Sequence, residues 1–299
     1  MRILILMLAV VFTPFVLAQE PKEPHKEYTA AEAFLPHVSG DEHLSGTYRY
    51  WKDPMKLDMR LAGNPDHSWK LNWKHLDYPF NKEMHAGHLA LDRGLAVFNA
   101  LNRSGTFKNC LVMYRLNGGY ETSLRGLRTQ YPAFRTDLGR VAGLEEVIEH
   151  CARLEGETLQ NGSYDNSAVS IYVASQSLGM PIKIDVVSPG PLRESWRHGE
   201  RLFHQKIGRN NMSCASCHVG RLGQSLRATV VTSPYGDVAH YPVYRDRFGI
   251  TSLHVRFTQC SLDLGFNALK PGSHAYTDME VFLTALTNGY PVSVPSERP

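Results

Sequence analysis

Cys214-Ala215-Ser216-Cys217-His218 brings two thiols and an imidazole into five consecutive positions. Thiols spaced in this way can each add across one vinyl group of a haem, and the adjoining histidine can then coordinate the iron from the proximal side. Two other chemistries use a Cys-x-x-Cys pair. A zinc site would want a second Cys/His pair nearby, and a thioredoxin-like redox pair would want a βαβ context. Neither is visible. The pentapeptide therefore predicts one covalently attached haem c, bonded through Cys214 and Cys217 and ligated by His218.

The iron needs a sixth ligand, and two candidates compete. Met279 lies about sixty residues past the motif, near where small cytochromes place an axial methionine. Yet Thr277-Asp278 reads as a helix cap, and Met279, Phe282, Leu283 and Leu286 keep helical spacing, which marks Met279 as a core residue. Cys260 follows a basic stretch containing Arg245, Arg247 and Arg256. Nearby positive charge lowers a thiol's pKa and favours the thiolate, so the balance tips to Cys260 as distal ligand. His254 and the other scattered histidines are given no role.

The elements that must position these groups repeat along the chain. Gly199, Leu202 and Phe203 share one helical face, and Gly94, Val97 and Phe98 stand at the same offsets. Cys110 follows Gly94 by sixteen positions and Cys214 follows Gly199 by fifteen. Two apolar helices close the halves, ending in Leu178-Gly179-Met180-Pro181 and Asn288-Gly289-Tyr290-Pro291; glycine at the C-cap with proline two residues on is a stop signal. The fold expected is mainly α, two tandem cytochrome c-like domains joined near Val187–Pro191. The overlay sets Cys110-Leu111-Val112-Met113-Tyr114 on the haem motif, with the second thiol and the histidine gone, so the first domain has lost its haem. Cys151 falls near the place of Cys260. Cys110 and Cys151 are expected to form a disulfide, the alternative being two separately buried thiols.

The remaining features set the compartment and exclude some functions. Met1-Arg2 followed by an apolar run from Ile3 to Leu17, with a cut ahead of Gln19, reads as a secretory signal peptide over residues 1–18. It predicts export to the periplasm, where c-type haem attachment and disulfides are both feasible. No later stretch approaches the length of a membrane span, so none is expected. The formal net charge of +3, with acids and bases interspersed, gives no reason to expect a nucleic-acid partner. The expected organisation is an N-terminal arm and divergent segment over 19–85, a haem-less domain over 86–187 and a haem-binding domain over 188–299.

The second half resembles SoxA, the larger subunit of the SoxAX cytochromes of bacterial thiosulfate oxidation. The likeness runs through Gly199, Ser213–His218, Tyr241-Pro242-Val243-Tyr244-Arg245, Leu253–Cys260 and Asn288-Gly289-Tyr290-Pro291. Arginine four residues before cysteine is that family's active-site signature, and Arg256 and Cys260 reproduce it. The first half is similar to single-haem members through Cys110, Tyr131-Pro132, Gly139-Arg140-Val141, Leu144-Glu145 and Cys151, where two cysteines replace the lost haem. Glu42–His85 departs from the pattern. The resemblance implies an L-cysteine S-thiosulfotransferase subunit, in which thiosulfate is joined to a carrier-protein cysteine and electrons leave through haem. Cys260 and Arg256 would be its catalytic residues, and a SoxX-like small cytochrome and a SoxYZ-like thiol carrier its partners. A plain His/Met electron carrier and a thiosulfate dehydrogenase forming tetrathionate are the competing functions.

Overall fold

The computed structural model describes residues 86–112, 123–221, 225–226, 229–231, 234, 236–245 and 249–298. The expected signal peptide, the segment 19–85, Met113, Tyr114 and Arg247 lie outside the described residues. The chain is helix-rich. Helices α1 (Ala86–Leu101) and α2 (Thr106–Val112) precede a short hairpin of β1 (Ala133–Arg135) and β2 (Arg140–Ala142), then α3 (Leu144–Leu154) and α4 (Tyr164–Ser175). The succession recurs as α5 (Pro191–His204), α6 (Cys214–His218), two short strands β3 (Ser225–Leu226) and β4 (Thr229–Val230), the hairpin β5 (Val243–Arg245) and β6 (Gly249–Thr251), α7 (Leu253–Asp263) and α8 (His274–Ala285). β1 pairs antiparallel with β2, and β5 with β6; β5 also pairs in parallel with a terminal strand β7 (Glu297–Arg298).

Two helix crossings organise the packing, and each turns on a glycine. A Cβ on Gly94 in α1 would overlap the carbonyl of Ala168 in α4 and sit 3.1 Å from Tyr172 Cβ. A Cβ on Gly199 in α5 would overlap the carbonyl of Asp278 in α8 and sit 2.8 Å from Phe282 Cβ. Only a residue without a side chain lets the two backbones approach so closely. Around the second crossing, Trp196, Gly199 and Phe203 form the buried stripe of α5, while Glu194, His198 and Arg201 face solvent. Phe203 meets Phe282 with ring centroids 5.2 Å apart, and Ser195 Oγ donates to Asp278. Gly199→Ala should cost about 3 kcal/mol, the upper end for overpacking, because backbone rather than a flexible side chain must yield. Urea unfolding of the variant measures it, and an unchanged midpoint would contradict the crossing described.

The ends of α4 and α8 bind each other. Past Ser175 and Ala285 the chain continues in i→i−3 turns to Gly179 (φ 77°) and Gly289 (φ 87°). The α-helices therefore stop several residues before the glycines that the sequence marks as C-caps. Gly179 N–H donates to Val292 O at 2.8 Å and Gly289 N–H to Ile182 O at 2.9 Å, a reciprocal exchange. Asn288 completes it by holding Ile184 through both its backbone N–H and C=O at 2.9 Å. As a result the largest apolar cluster spans both halves, with Ala168 and Ile171 of α4 packed among Trp196, Phe203, Val281 and Phe282. A second cluster, around Phe107, Leu144, Ile148 and Val173, belongs to the first half alone.

One boundary differs from the sequence reading. Helix α8 begins after Ser273, a full turn before Thr277-Asp278. Gly272 (φ 82°) makes the entry turn, and Thr277 lies inside the helix with its hydroxyl donating to Glu146 at 2.9 Å. A Thr whose hydroxyl is taken by a neighbouring helix cannot cap its own.

Candidate haem and sulfur site

The motif Ser213–His218 folds as a single helical turn held by its two serines. Ser213 Oγ accepts from the Ser216 N–H at 3.2 Å, and Ser216 Oγ accepts from the Ser213 N–H at 3.0 Å. This reciprocal cap fixes the turn from its first residue, so Cys214 and Cys217, three apart, lie on one side of it. Both thiols are unbonded, Cys217 buried and Cys214 half-buried. Burial, then the neighbouring Cys260, push the Cys214 thiol up to about 12. Burial likewise pushes Cys217 up, with Arg221 pulling the other way.

Cys260 is brought near this turn by a later helix, α7. The β5–β6 hairpin leads into α7, whose N-cap Ser252 accepts from the Val255 N–H at 3.3 Å. From there Arg256 and Cys260 follow one turn apart on the same side of the helix. The Cys260 sulfur is close enough to influence the titration of Cys214 and to feel that of Cys217. Three thiols and the arginine thus gather at one place, with His218 beside them in sequence.

The electrostatics modify the sequence expectation. Burial is the largest influence on Cys260 and pushes its pKa up; Arg256 and Arg245 pull it down without overcoming burial. Basic neighbours alone therefore do not make this thiol a thiolate. Coordination to a cation would, because a metal ligand sheds its proton. Arg256 shows the complementary pattern. Burial pushes its pKa down, and Cys260, followed by Tyr241, Asp237 and Asp263, more than restores it. Its guanidinium has no hydrogen bond or ion pair to any described residue. Arg245, buried at the end of β5, is a second cation beside Cys260 that the sequence reading placed only in a basic stretch.

The first half carries a covalent bond between the helices at the corresponding places in the element order. Cys110 of α2 and Cys151 of α3 form a disulfide across a sequence separation of 41, as expected. Cys151 is the eighth residue of its eleven-residue helix, as Cys260 is of α7. Arg135, fully buried at the end of β1 as Arg245 is at the end of β5, donates to the Cys110 carbonyl at 3.3 Å, to Tyr131 Oη at 2.8 Å and to Asp137. Met279 is a half-buried residue within α8.

The donor set fits a c-type haem: two free thiols on one turn, an adjacent imidazole, and a third sulfur electrostatically coupled to that turn. Cys214 and Cys217 would hold the porphyrin, and His218 and Cys260 would hold its iron.

Comparison with known proteins bears on the family. The model of the SoxA/TsdA cytochrome c domain matches residues 112–182 and 198–292. A protein of Chlorobaculum tepidum called L-cysteine S-thiosulfotransferase subunit SoxA is 32% identical over 238 residues, covering 78% of this chain and 77% of its own. A protein of the same name from Pseudaminobacter salicylatoxidans is 32% identical, covering 71% of this chain and 73% of its own. Among solved structures, SoxXA from P. pantotrophus superposes with a TM-score of 0.59 at 24% identity, over 72% of this chain and 79% of that one. The domain match spans more than half of the residues and the relatives extend over most of the rest of the fold, so the chain belongs to the SoxA/TsdA cytochrome c family, among its SoxA subunits.

Proposed function

We propose that this chain is the SoxA-type subunit of a periplasmic L-cysteine S-thiosulfotransferase, carrying one haem c, and that Cys260 and Arg256 are its catalytic residues. One observation carries the reading: a guanidinium without a hydrogen-bond or ion-pair partner among the described residues sits one helical turn from a free thiol, in the cluster formed by the Cys-x-x-Cys-His turn. A permanently charged planar fork left unpaired beside a sulfur nucleophile suits an anion such as the sulfonate end of thiosulfate. The haem, when bound, accepts the electrons released and passes them to a small c-type cytochrome of the SoxX kind.

Each remaining step uses the chain's own residues. Arg256 orients thiosulfate with its outer sulfur toward Cys260. A bond forms between that sulfur and the Cys260 thiolate, and two electrons leave. The thiolate of a carrier-protein cysteine, of the SoxYZ kind, then displaces Cys260 by thiol–disulfide exchange, giving the carrier S-thiosulfonate and regenerating the Cys260 thiolate. The arrangement is consistent with two tandem cytochrome c-like domains, 86–187 and 188–299, of which the first lost its haem. In support, the order α1, α2, hairpin, α3, α4 matches α5, α6, hairpin, α7, α8, and the disulfide joins the residues that correspond in that order to Cys214 and Cys260. Among the described residues no helix is long and apolar enough to cross a membrane.

Arg256→Gln should lower kcat/KM for thiosulfate by about 10–100-fold, the loss of one charge-assisted contact, with Arg256→Lys intermediate. Steady-state assay with thiosulfate, carrier protein and cytochrome partner measures it. A kcat/KM unchanged in Arg256→Gln would exclude the oxyanion role.

A further inference from the structure

Outside the haem site, a second group of ligating side chains lies buried where the two halves meet. Glu146 of α3, His254 of α7 and Glu280 of α8 are each 4% exposed. Each offers one ligand atom, and these atoms lie within 4.8 Å of one another. His254 Nδ1 is occupied as an acceptor, taking the Gly272 N–H at 2.9 Å, which leaves Nε2 to face the carboxylates. Nε2 lies 3.1 Å from Glu280 Oε2, yet the two are not aligned as a hydrogen bond, and Nε2 has no hydrogen-bond partner among the described residues. A nearby amide is also unsatisfied. Asn161 is 4% exposed, and neither its Oδ1 nor its Nδ2 has a partner among the described residues. It borders the group, because the space beside the Gly272 Cα is flanked by Asn161 Nδ2 at 3.3 Å and Glu146 Cγ at 3.8 Å.

Two arginines serve the neighbouring carboxylates. Arg140 pairs with Glu146, and Arg128 acts on the half-buried Glu145, whose hydroxyl partner is Ser170 at 2.8 Å. Among the described residues, Glu280 has only His254 as a charged neighbour within ion-pair distance. Burial pulls the His254 pKa down, but Glu280, then Glu146 and Glu145, push it up overall.

We propose that His254, Glu280 and Glu146 form a structural site for a divalent cation of the Zn²⁺ or Mn²⁺ class, with the Asn161 carboxamide as a further oxygen donor. An imidazole with two carboxylates and an amide oxygen is a donor set that such ions accept, and neighbouring groups at hydrogen-bonding distance hold the ligands in place. The hydroxyl of Thr277 and the N–H of Gly143 both bond Glu146 Oε2, at 2.9 and 2.7 Å, and orient it. The ion would tie α3 of the first half to α7 and α8 of the second. Because His254 opens the helix that carries Arg256 and Cys260, the site would also fix where that helix starts.

The test uses the exported holoprotein, purified without chelator. Non-iron metal is measured by elemental analysis, and thermal unfolding is followed after EDTA treatment with and without added Zn²⁺ or Mn²⁺. The expected result is up to one non-iron divalent ion per chain and, at a hundredfold excess of the ion over its Kd, a rise in Tm of about 5 °C or more. Glu280→Gln should abolish that rise while retaining haem absorbance and helical circular dichroism, and His254→Gln should do the same if the first variant does not fold. A Tm in the parent protein indifferent to both ions, or a rise that survives in a folded Glu280→Gln or His254→Gln variant, would overturn the site. Neither outcome bears on thiosulfate transfer, which depends on Cys260 and Arg256.

Discussion

Cys260→Ala should keep its covalently attached haem but lose sulfur transfer by at least about 10³-fold, as expected for removal of a covalent nucleophile. Attachment is expected through Cys214 and Cys217 on α6, a turn whose serine cap has no contribution from α7, so it should survive. What disappears is the sulfur that is electrostatically coupled to both thiols and lies one turn beyond Arg256. Cys260→Ser should fare little better, since a hydroxyl replaces the shape but neither binds iron well nor forms the bond to sulfur. Haem content by intact mass and turnover with thiosulfate and a thiol carrier decide the matter. Turnover within tenfold of the parent, in a variant that retains haem, would remove Cys260 from the mechanism.

The second large effect is on stability and falls in the other half. The double variant Cys110→Ala with Cys151→Ala should lose about 4 kcal/mol, from the loop-closure entropy of a bridge of this span. That corresponds to a fall in Tm of about 10 °C. The sulfurs join α2 to α3 in a cluster with Phe107, Leu144 and Ile148, so the loss should be felt through the first half's core. Reduction of the parent protein should reproduce the shift, and the double variant should not respond to reductant. Sulfur transfer at a temperature where both forms are folded should be nearly unchanged, because no catalytic group lies there. A Tm unaffected by the double substitution would contradict the bridge as a stabilising device.

Much of this site was legible in the residues themselves. Cys-x-x-Cys-His is a local motif, and its spacing alone places two thiols and an imidazole together. The crossing glycines were legible for the same reason: Gly94 and Gly199 recur with their aromatic partners at fixed offsets, and each meets the helix that closes its half. The pairing of Cys110 with Cys151 followed from overlaying the halves. The state of Cys260 was harder, since burial depends on the assembled core and outweighs the two arginines that sequence proximity suggested. The start of α8 was misplaced because Thr277 looks like a cap until Glu146, far away in sequence, takes its hydroxyl. The same long-range placement hid the role of His254. Nothing beside it in the chain announces Glu280 or Glu146, and only the docking of α3 against α7 and α8 brings them within reach.

Electron paramagnetic resonance of the ferric holoprotein tests most directly whether iron is held between His218 and Cys260. Low-spin signals of the thiolate type should appear in the parent protein, persist in Met279→Leu and vanish in Cys260→Ala. Signals that survive in Cys260→Ala but change in Met279→Leu would assign the iron to methionine and contradict the account.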